Sequence, residues 1–257
     1  MTGLCVPSMP DRGSWHGAAQ ILRFNWPMYA GALAAIGAAA AIVIFASPPA
    51  LVVWPLTAVA GFVAWWSVAS LLASHWVYDR AGLHECEWLK GLVHPDRWAL
   101  VHAGLDEFTP FLRRRFGAPV AILDMYDAKR MTEPSIARAQ QAVGHDSLTT
   151  RAAHDRLPLD DGKLDTVFVL FAAHELRSPE ERAALFREVC RTLAPGGRAV
   201  VVEHLRDAMG FFAFGPGFLH FFSRSTWLEA FDAAGLVADR ERSITPLARV
   251  FILRRCA

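Results

Sequence analysis

Two long apolar runs stand near the start of the chain. Residues 26–46 (WPMYAGALAAIGAAAAIVIFA) carry no charge, and residues 50–73 (ALVVWPLTAVAGFVAWWSVASLLA) carry none either. As a helix, each reaches the about 20 residues needed to cross the hydrocarbon of a bilayer. Ser47, Pro48 and Pro49 interrupt the apolar pattern between them, which predicts a hairpin of two transmembrane-type helices. Trp26, Tyr29, Trp65, Trp66 and Trp76 lie in or near the ends of the runs, where amphipathic rings favour the interface. Arg12, Arg23 and Arg80 flank one side and the turn has no charge, so both ends and the downstream domain are expected in the cytoplasm. A secretory signal would have one shorter apolar core and no second span behind it. A hairpin packed on a soluble domain, or one dipping into a single leaflet, is the competing reading, which Pro55 and the Ala/Gly-rich first run leave open.

After Gly91 the pattern changes to short apolar runs alternating with amphipathic stretches, as βαβ units around a parallel sheet require. Residues 98–102 (WALVH) and 120–124 (VAILD) read as strands, with a helix over 109–116 between them. A helix over about 133–143 and a short strand near 148–152 follow. The run 166–171 (TVFVLF) is nearly all apolar, as a central strand buried on both faces should be. Ser178, Pro179 and Glu181 supply a cap, a first-position proline and a capping-box acid, so a helix is expected to about residue 193. Ala194, Pro195, Gly196 and Gly197 then turn into a fifth strand, 198–204. A last helix over about 226–234 leads to two β-like runs, LVADRERS and PLARVFIL, expected to pair antiparallel. The predicted fold class is α/β: a Rossmann-like doubly wound sheet with a C-terminal antiparallel strand pair, preceded by two transmembrane-type helices. Its ligand crevice should lie beyond the carboxyl ends of the strands. The expected organisation is an N-terminal cytoplasmic segment (1–25), the hairpin (26–73), a linker (74–97) and the α/β domain (98–257).

The stretch RLPLDDGKLDTVFVLFAAHEL and the following FREVCRTLAPGGRAVVVE, with the motifs LP-x-x-DG-x-x-D and L-x-PGG-x-x-x-x-x-E, resemble class I S-adenosylmethionine-dependent methyltransferases. The likeness is to the small-molecule and ubiquinone-type enzymes and covers about residues 98–253. It implies S-adenosyl-L-methionine as cofactor. In that family the first strand ends in a glycine-rich loop because the backbone must approach the cofactor without Cβ atoms in the way. Here the loop is VHAGLDEF: Gly104 keeps the first glycine, Asp106 and Phe108 replace the next two, and His102 stands in place of the usual acid. A reshaped loop, with Asp106 or Glu107 meeting the methionine ammonium, is what the resemblance implies. Asp124 ends the second strand where an acid can take ribose hydroxyls. Ala153 occupies the place of an adenine-reading acid, for which Asp155 beside His154 is the nearby substitute.

Methyl transfer from a sulfonium needs alignment and, for a protic acceptor, a base. His174 and Glu175 after the fourth strand, and Glu203 and His204 after the fifth, are the catalytic candidates. A histidine titrating near neutrality would suit a phenol or thiol. Between the fifth strand and the last helix lie six phenylalanines in the twelve residues 211–222. Glycines and Pro216 argue against a regular helix there, so Phe211, Phe212, Phe214, Phe218 and His220 read as a lid or wall over a lipophilic acceptor. The acceptor expected is a hydrophobic small molecule: a quinone or phenol, a lipid, or a small thiol. The competing readings are a silent membrane-bound docking module, or another transfer with the same cofactor; cofactor binding separates silence from activity.

Composition agrees with a membrane-associated chain: 53% of residues are hydrophobic and the excess sits in the first third. A formal net charge of +1 and no basic run exclude a nucleic-acid partner from the reading. Cys5, Cys86, Cys190 and Cys256 form no CxxC pair, and the His- and acid-containing stretch 75–98 lacks ligand spacing, so no metal is assigned.

Overall fold

The structure is a computed structural model that describes residues 12–142 and 148–256. Cys5 and the end of the helix expected at Val143 lie outside the described residues. Helix α1 spans His16–Ala46 and so begins well before the apolar run. Pro27 has no N–H to donate and its ring crowds the preceding turn, and the helix kinks at Asn25 (φ −111°, ψ 16°). The Asn25 amide takes up slack by donating to the Ile21 carbonyl at 3.0 Å. The foot before the kink buries Gly17, Ala18 and Phe24 against the rest of the chain.

Helix α2, Ala50–His75, continues as a widened π turn through Arg80. Asp79 in that turn caps the start of α1: its carboxylate accepts from the Gly17 and Ala18 amides at 2.7 and 3.2 Å. The approach demands glycine, since a Cβ on Gly17 would fall 2.4 Å from Cβ of Tyr78. Tyr29 and Ser70 hydroxyls join the two helices at 3.0 Å. Farther out, Leu33, Phe45, Leu51 and Trp54 are 72–85% exposed, and only 11% of the most apolar window of either helix is buried. Core helices would be covered; by length and composition these two are candidate membrane spans.

Seven strands form one sheet: β1 (Trp98–His102), β2 (Ala121–Asp124), β3 (Thr149–Arg151), β4 (Leu164–Leu170), β5 (Leu193–Glu203), β6 (Leu236–Thr245) and β7 (Ala248–Arg255). Their order is β3-β2-β1-β4-β5-β7-β6, parallel except for β7, which runs antiparallel to both β5 and β6. Helices α3 (Thr109–Phe116), α4 (Pro134–Ala142) and α5 (Pro179–Thr192) make the crossovers. The capping box at Ser178 is formed as expected, worth about 1 kcal/mol to α5. Strand β5 starts earlier than expected, because residues 193–197 stay extended along the sheet and Gly197 packs so close to the Leu164 carbonyl that a Cβ would stand 2.8 Å from it.

One face of the sheet is covered by α4, α5 and α7 (Arg224–Asp232), with Trp227, Phe186 and Phe231 in the core. The other face is covered by α3 and by residues 77–93, whose Val77, Leu83, Cys86, Trp88, Leu89 and Val93 are buried against Trp98, Leu100 and Phe168. The expected linker therefore supplies a good part of the domain's second core.

His84 sits in this layer, stacked on Phe108 at 5.1 Å with Nδ1 on the Tyr78 carbonyl. Burial, with Arg12 and His16 adding to it and Asp79 opposing, pushes its pKa down to about 3. The folded chain thus holds a neutral ring that the unfolded chain protonates below its ordinary 6.5. Stability from this group is complete above that value and is lost as pH falls through it, by about 2 kcal/mol at pH ~5. Urea titrations in detergent at about pH 7 and 5 should show that loss, and His84→Phe should remove most of it; an unchanged pH slope in the variant refutes the assignment.

Candidate active site

The strand order reverses between β1 and β4, and the crevice of a doubly wound sheet opens at the carboxyl ends of such a pair. Two clusters flank this point. The first is built on β1 and β2, which are in register at His102 and Asp124. Gly104 turns back with φ +85°, and a Cβ there would stand 2.8 Å from the Gln140 side-chain amide and 3.4 Å from Tyr126. Asp124, 1% exposed, holds the turn: Oδ1 accepts from the Gly104 and Tyr126 amides at 2.8 and 2.9 Å. Its Oδ2 accepts no hydrogen bond and faces Arg151 Nη1 at 3.5 Å, while buried His102 approaches Oδ1 at 3.8 Å.

The altered loop has its own internal uses. Asp106 Oδ1 accepts from the Phe108 and Thr109 amides, starting α3 in the manner of an N-cap. Glu107 is partly buried and paired with Arg12 at 3.0 Å; burial pushes its carboxyl up and Arg12 opposes the rise. Both acids therefore also hold the loop in place, Asp106 through Oδ1 and Glu107 through Arg12. His154 is buried and Asp155 exposed in a turn closed by the Ala153–Arg156 bridge. For the expected cofactor, the fit rests on Gly104 and Asp124: a backbone turn where a side chain would be strained, and a buried acid whose Oδ2 has an ionic partner in Arg151 but accepts no hydrogen bond among the described residues.

The second cluster stands on β4 and β5. After β4 the chain turns through Phe171 (φ +50°), whose amide donates to Val202 O, into a 3-10 turn, Ala173–Glu175. Glu203, wholly buried at the end of β5, pins this turn: Oε1 accepts from the Ala173 and His174 amides at 2.9 and 3.3 Å. Its Oε2 lies 2.7 Å from His174 Nδ1, so the turn and the ring are fixed by one carboxylate. His174 Nε2 then faces Glu175 Oε1 at 3.3 Å. Burial alone would lower the His174 pKa, but Glu203 and Glu175 outweigh it and raise it to about 10. The two carboxylates thus favour the protonated ring. Glu175 goes the other way: burial would raise it, yet His174 and His220 hold it far below the usual carboxylate range.

His204 is set apart from this group. Its Nδ1 bonds the Leu247 carbonyl at 2.6 Å, which requires a proton there, so Nε2 accepts from the Tyr78 hydroxyl at 2.8 Å. Burial pushes its pKa down to about 4 despite the carbonyl, and the neutral ring has both nitrogens engaged. In this arrangement it is a positioning residue between α2 and the sheet.

The phenylalanine-rich segment contains a regular helix after all, α6 (Ala208–Phe214), because Asp207 caps it through the Gly210 amide at 2.8 Å and Gly215 ends it. A 3-10 segment, Gly215–His220, follows. Arg206 holds this segment by the Phe221 and Leu219 carbonyls, and Arg177 by those of His220 and His174. Phe211 meets Trp66 of α2 edge-on at 5.5 Å, and Gly215 lies against the same indole. Phe218 packs on Phe211, Phe214 packs on His204, and Phe212 is 62% exposed beside exposed Met209 and Leu219. Trp66 lies roughly 20 Å of helix short of Arg80 at 1.5 Å per residue, so the segment climbs along the hairpin. It forms a wall between hairpin and crevice, and only His220 of the five acceptor candidates reaches the second cluster, with Nε2 3.6 Å from Glu175 Oε1.

Residues 103–201 match the family model of a methyltransferase domain. No curated protein sequence matches the chain. Among solved structures, the mitomycin 7-O-methyltransferase MmcR aligns over 96% of this chain and 74% of its own, at 14% identity and a TM-score of 0.55. A SAM-dependent methyltransferase from Aquifex aeolicus aligns over 68% of this chain and 93% of its own, at 18% identity and a TM-score of 0.50. The sheet is thus of the methyltransferase fold, and the matched domain points to S-adenosylmethionine as the cofactor.

Proposed function

We propose that this chain is a membrane-anchored S-adenosylmethionine-dependent methyltransferase acting on a hydrophobic small molecule: a quinone or phenol, a lipid, or a small thiol. The observation that carries the reading is the His174–Glu203 pair, buried at the ends of β4 and β5 across the switch point from the Gly104–Asp124 turn. When bound, the cofactor supplies a methyl group on a sulfonium, whose departure requires no proton. What remains for the protein is to exclude water, align the acceptor and accommodate its proton.

Glu203 fixes the His174 ring so that Nε2 is the atom presented to an acceptor. An imidazolium beside an acceptor anion contains the same number of protons as a neutral imidazole beside a phenol or thiol. A ring with its pKa raised to about 10 therefore suits an acceptor that ionises in the same range, such as a phenol. The wall of α6 and its 3-10 extension leads to Phe221, edge-on to the His174 ring, and carries exposed Phe212, Met209 and Leu219, a surface on which a lipophilic acceptor can partition. The exposed apolar lengths of α1 and α2 support anchoring in the membrane from which such acceptors come.

Calorimetric titration of the detergent-purified full chain with S-adenosylmethionine and S-adenosylhomocysteine is expected to give saturable binding of both; no heat at millimolar ligand would sink the enzyme reading. Alkaline carbonate washing should leave the chain in the membrane pellet, and its release would overturn anchoring alone. Labelled cofactor fed to membranes, with mass analysis of the extractable organics, then identifies the acceptor.

A further inference from the structure

Glu175 is contacted by two imidazoles at once. Its Oε1 lies 3.3 Å from His174 Nε2 and 3.6 Å from His220 Nε2. The donor atoms of the three residues all lie within 4.8 Å of one another. Ligands bound to one ion at about 2.0–2.1 Å in a tetrahedral array stand roughly 3.4 Å apart, which is the spacing of the two shorter edges. The third edge closes by a shift of His220, which is on a 3-10 segment and partly exposed.

Two more observations point to an ion. Each imidazole has a carboxylate on its far nitrogen: Glu203 on His174 Nδ1 at 2.7 Å, and Glu133 facing His220 Nδ1 at 3.7 Å. A carboxylate behind a histidine is the usual support of a metal-bound ring, because it fixes the tautomer that leaves Nε2 with its lone pair forward. Glu175 itself is 8% exposed, and its Oε2 is buried without a hydrogen-bond partner among the described residues. Such an atom carries an uncompensated desolvation cost unless something not donated by the protein meets it.

We propose that His174, Glu175 and His220 form a binding site for one divalent first-row transition-metal ion, of the two-histidine, one-carboxylate type. This donor set suits zinc, iron(II) or cobalt(II) rather than magnesium or calcium, whose ligands are oxygens. Three protein ligands leave coordination positions open, here toward the phenylalanine wall. The ion would take the place of the proton on His174 Nε2; if the methyl transfer proposed above holds, the metal rather than that proton would then balance the acceptor's oxygen or sulfur anion at the open positions, and occupation of the site by metal does not itself depend on that reading.

The test uses the full chain in detergent, stripped with chelator and dialysed. Cobalt(II) titration followed by visible absorption, with zinc(II) as competitor, should show one ion per chain. Glu175→Gln and His220→Ala should each weaken cobalt binding at least tenfold. S-adenosylmethionine binding, measured on the same samples, should persist in both variants and reports that they are folded. Glu203→Gln, which removes a support and no ligand, should weaken binding by about 10–100-fold. No binding by the wild-type chain, or variants that bind as it does, would overturn the site. Metal bound with no S-adenosylmethionine bound would instead count against the methyltransferase reading and leave the site standing.

Discussion

Glu203→Gln is expected to slow methyl transfer by about 10²- to 10⁴-fold, the range attributed to a positioned acid or base, with the chain still folded. The amide has the shape of the carboxylate, and its oxygen can still accept from the Ala173 and His174 backbone amides. Its nitrogen, however, must then face His174 Nδ1 at the 2.7 Å position where a carboxylate oxygen accepted. Two donors cannot share that contact, so the ring changes tautomer and turns a proton toward the crevice. It can neither take up the acceptor's proton nor balance an acceptor anion as an imidazolium. The loss should fall on kcat more than on KM for S-adenosylmethionine, whose proposed site at Gly104 and Asp124 lies across the switch point. Label transfer into membrane-extractable acceptor checks this; a variant retaining most of the wild-type rate would remove the His174–Glu203 pair from the mechanism.

Asp124→Ala should weaken S-adenosylmethionine binding by about a hundredfold or more. The carboxylate makes two charge-assisted bonds, to the Gly104 and Tyr126 amides, in a site 1% exposed. Such bonds contribute about 1.5–3 kcal/mol each, and about 2.7 kcal/mol already corresponds to a hundredfold. Without them Gly104 loses the acceptor that keeps its φ at +85°, and Arg151 loses a carboxylate partner at 3.5 Å. Calorimetry on the purified variant measures the effect. Binding within threefold of wild type would mean that the turn at Gly104 is not where the nucleoside lies.

The sheet was legible because its strands bury both faces and its helices one, so the two periodicities separate cleanly. Strand β1 and helix α3 fall on the predicted residues, and Ser178 caps α5 as its spacing required. Residues 77–93 were not legible as core: Val77, Leu83, Trp88 and Leu89 follow neither period, because they pack from irregular turns. Helix α6 was hidden by the glycines and proline that follow it, while its cap at Asp207 was the available signal. In the site, Glu203 and His174 could be nominated because strand ends are where a doubly wound sheet presents chemistry. Their pairing could not, since it depends on how the 3-10 turn after β4 aims its ring. His220 was read as a possible acceptor contact, but its meeting with Glu175 comes from Arg177 and Arg206 holding a segment remote in sequence. Nothing local in sequence announces Tyr78 on His204 or Arg12 on Glu107.

The clasp at the base of the hairpin bears on how the chain is made. Asp79 closes on the first amides of α1, Arg12 reaches Glu107, and Arg138 of α4 donates to the Phe24 carbonyl at 2.6 Å. These partners can meet only if the beginning of α1, the end of α2 and the sheet share one aqueous compartment. If the two helices span a bilayer as proposed, this clasp keeps the start of α1 and the end of α2 on the side of the sheet, and the uncharged turn at Ser47 is the part of the hairpin that crosses. A single lysine introduced there would tax both helices together, which makes biogenesis, rather than the finished fold, the stage at which this turn is under constraint.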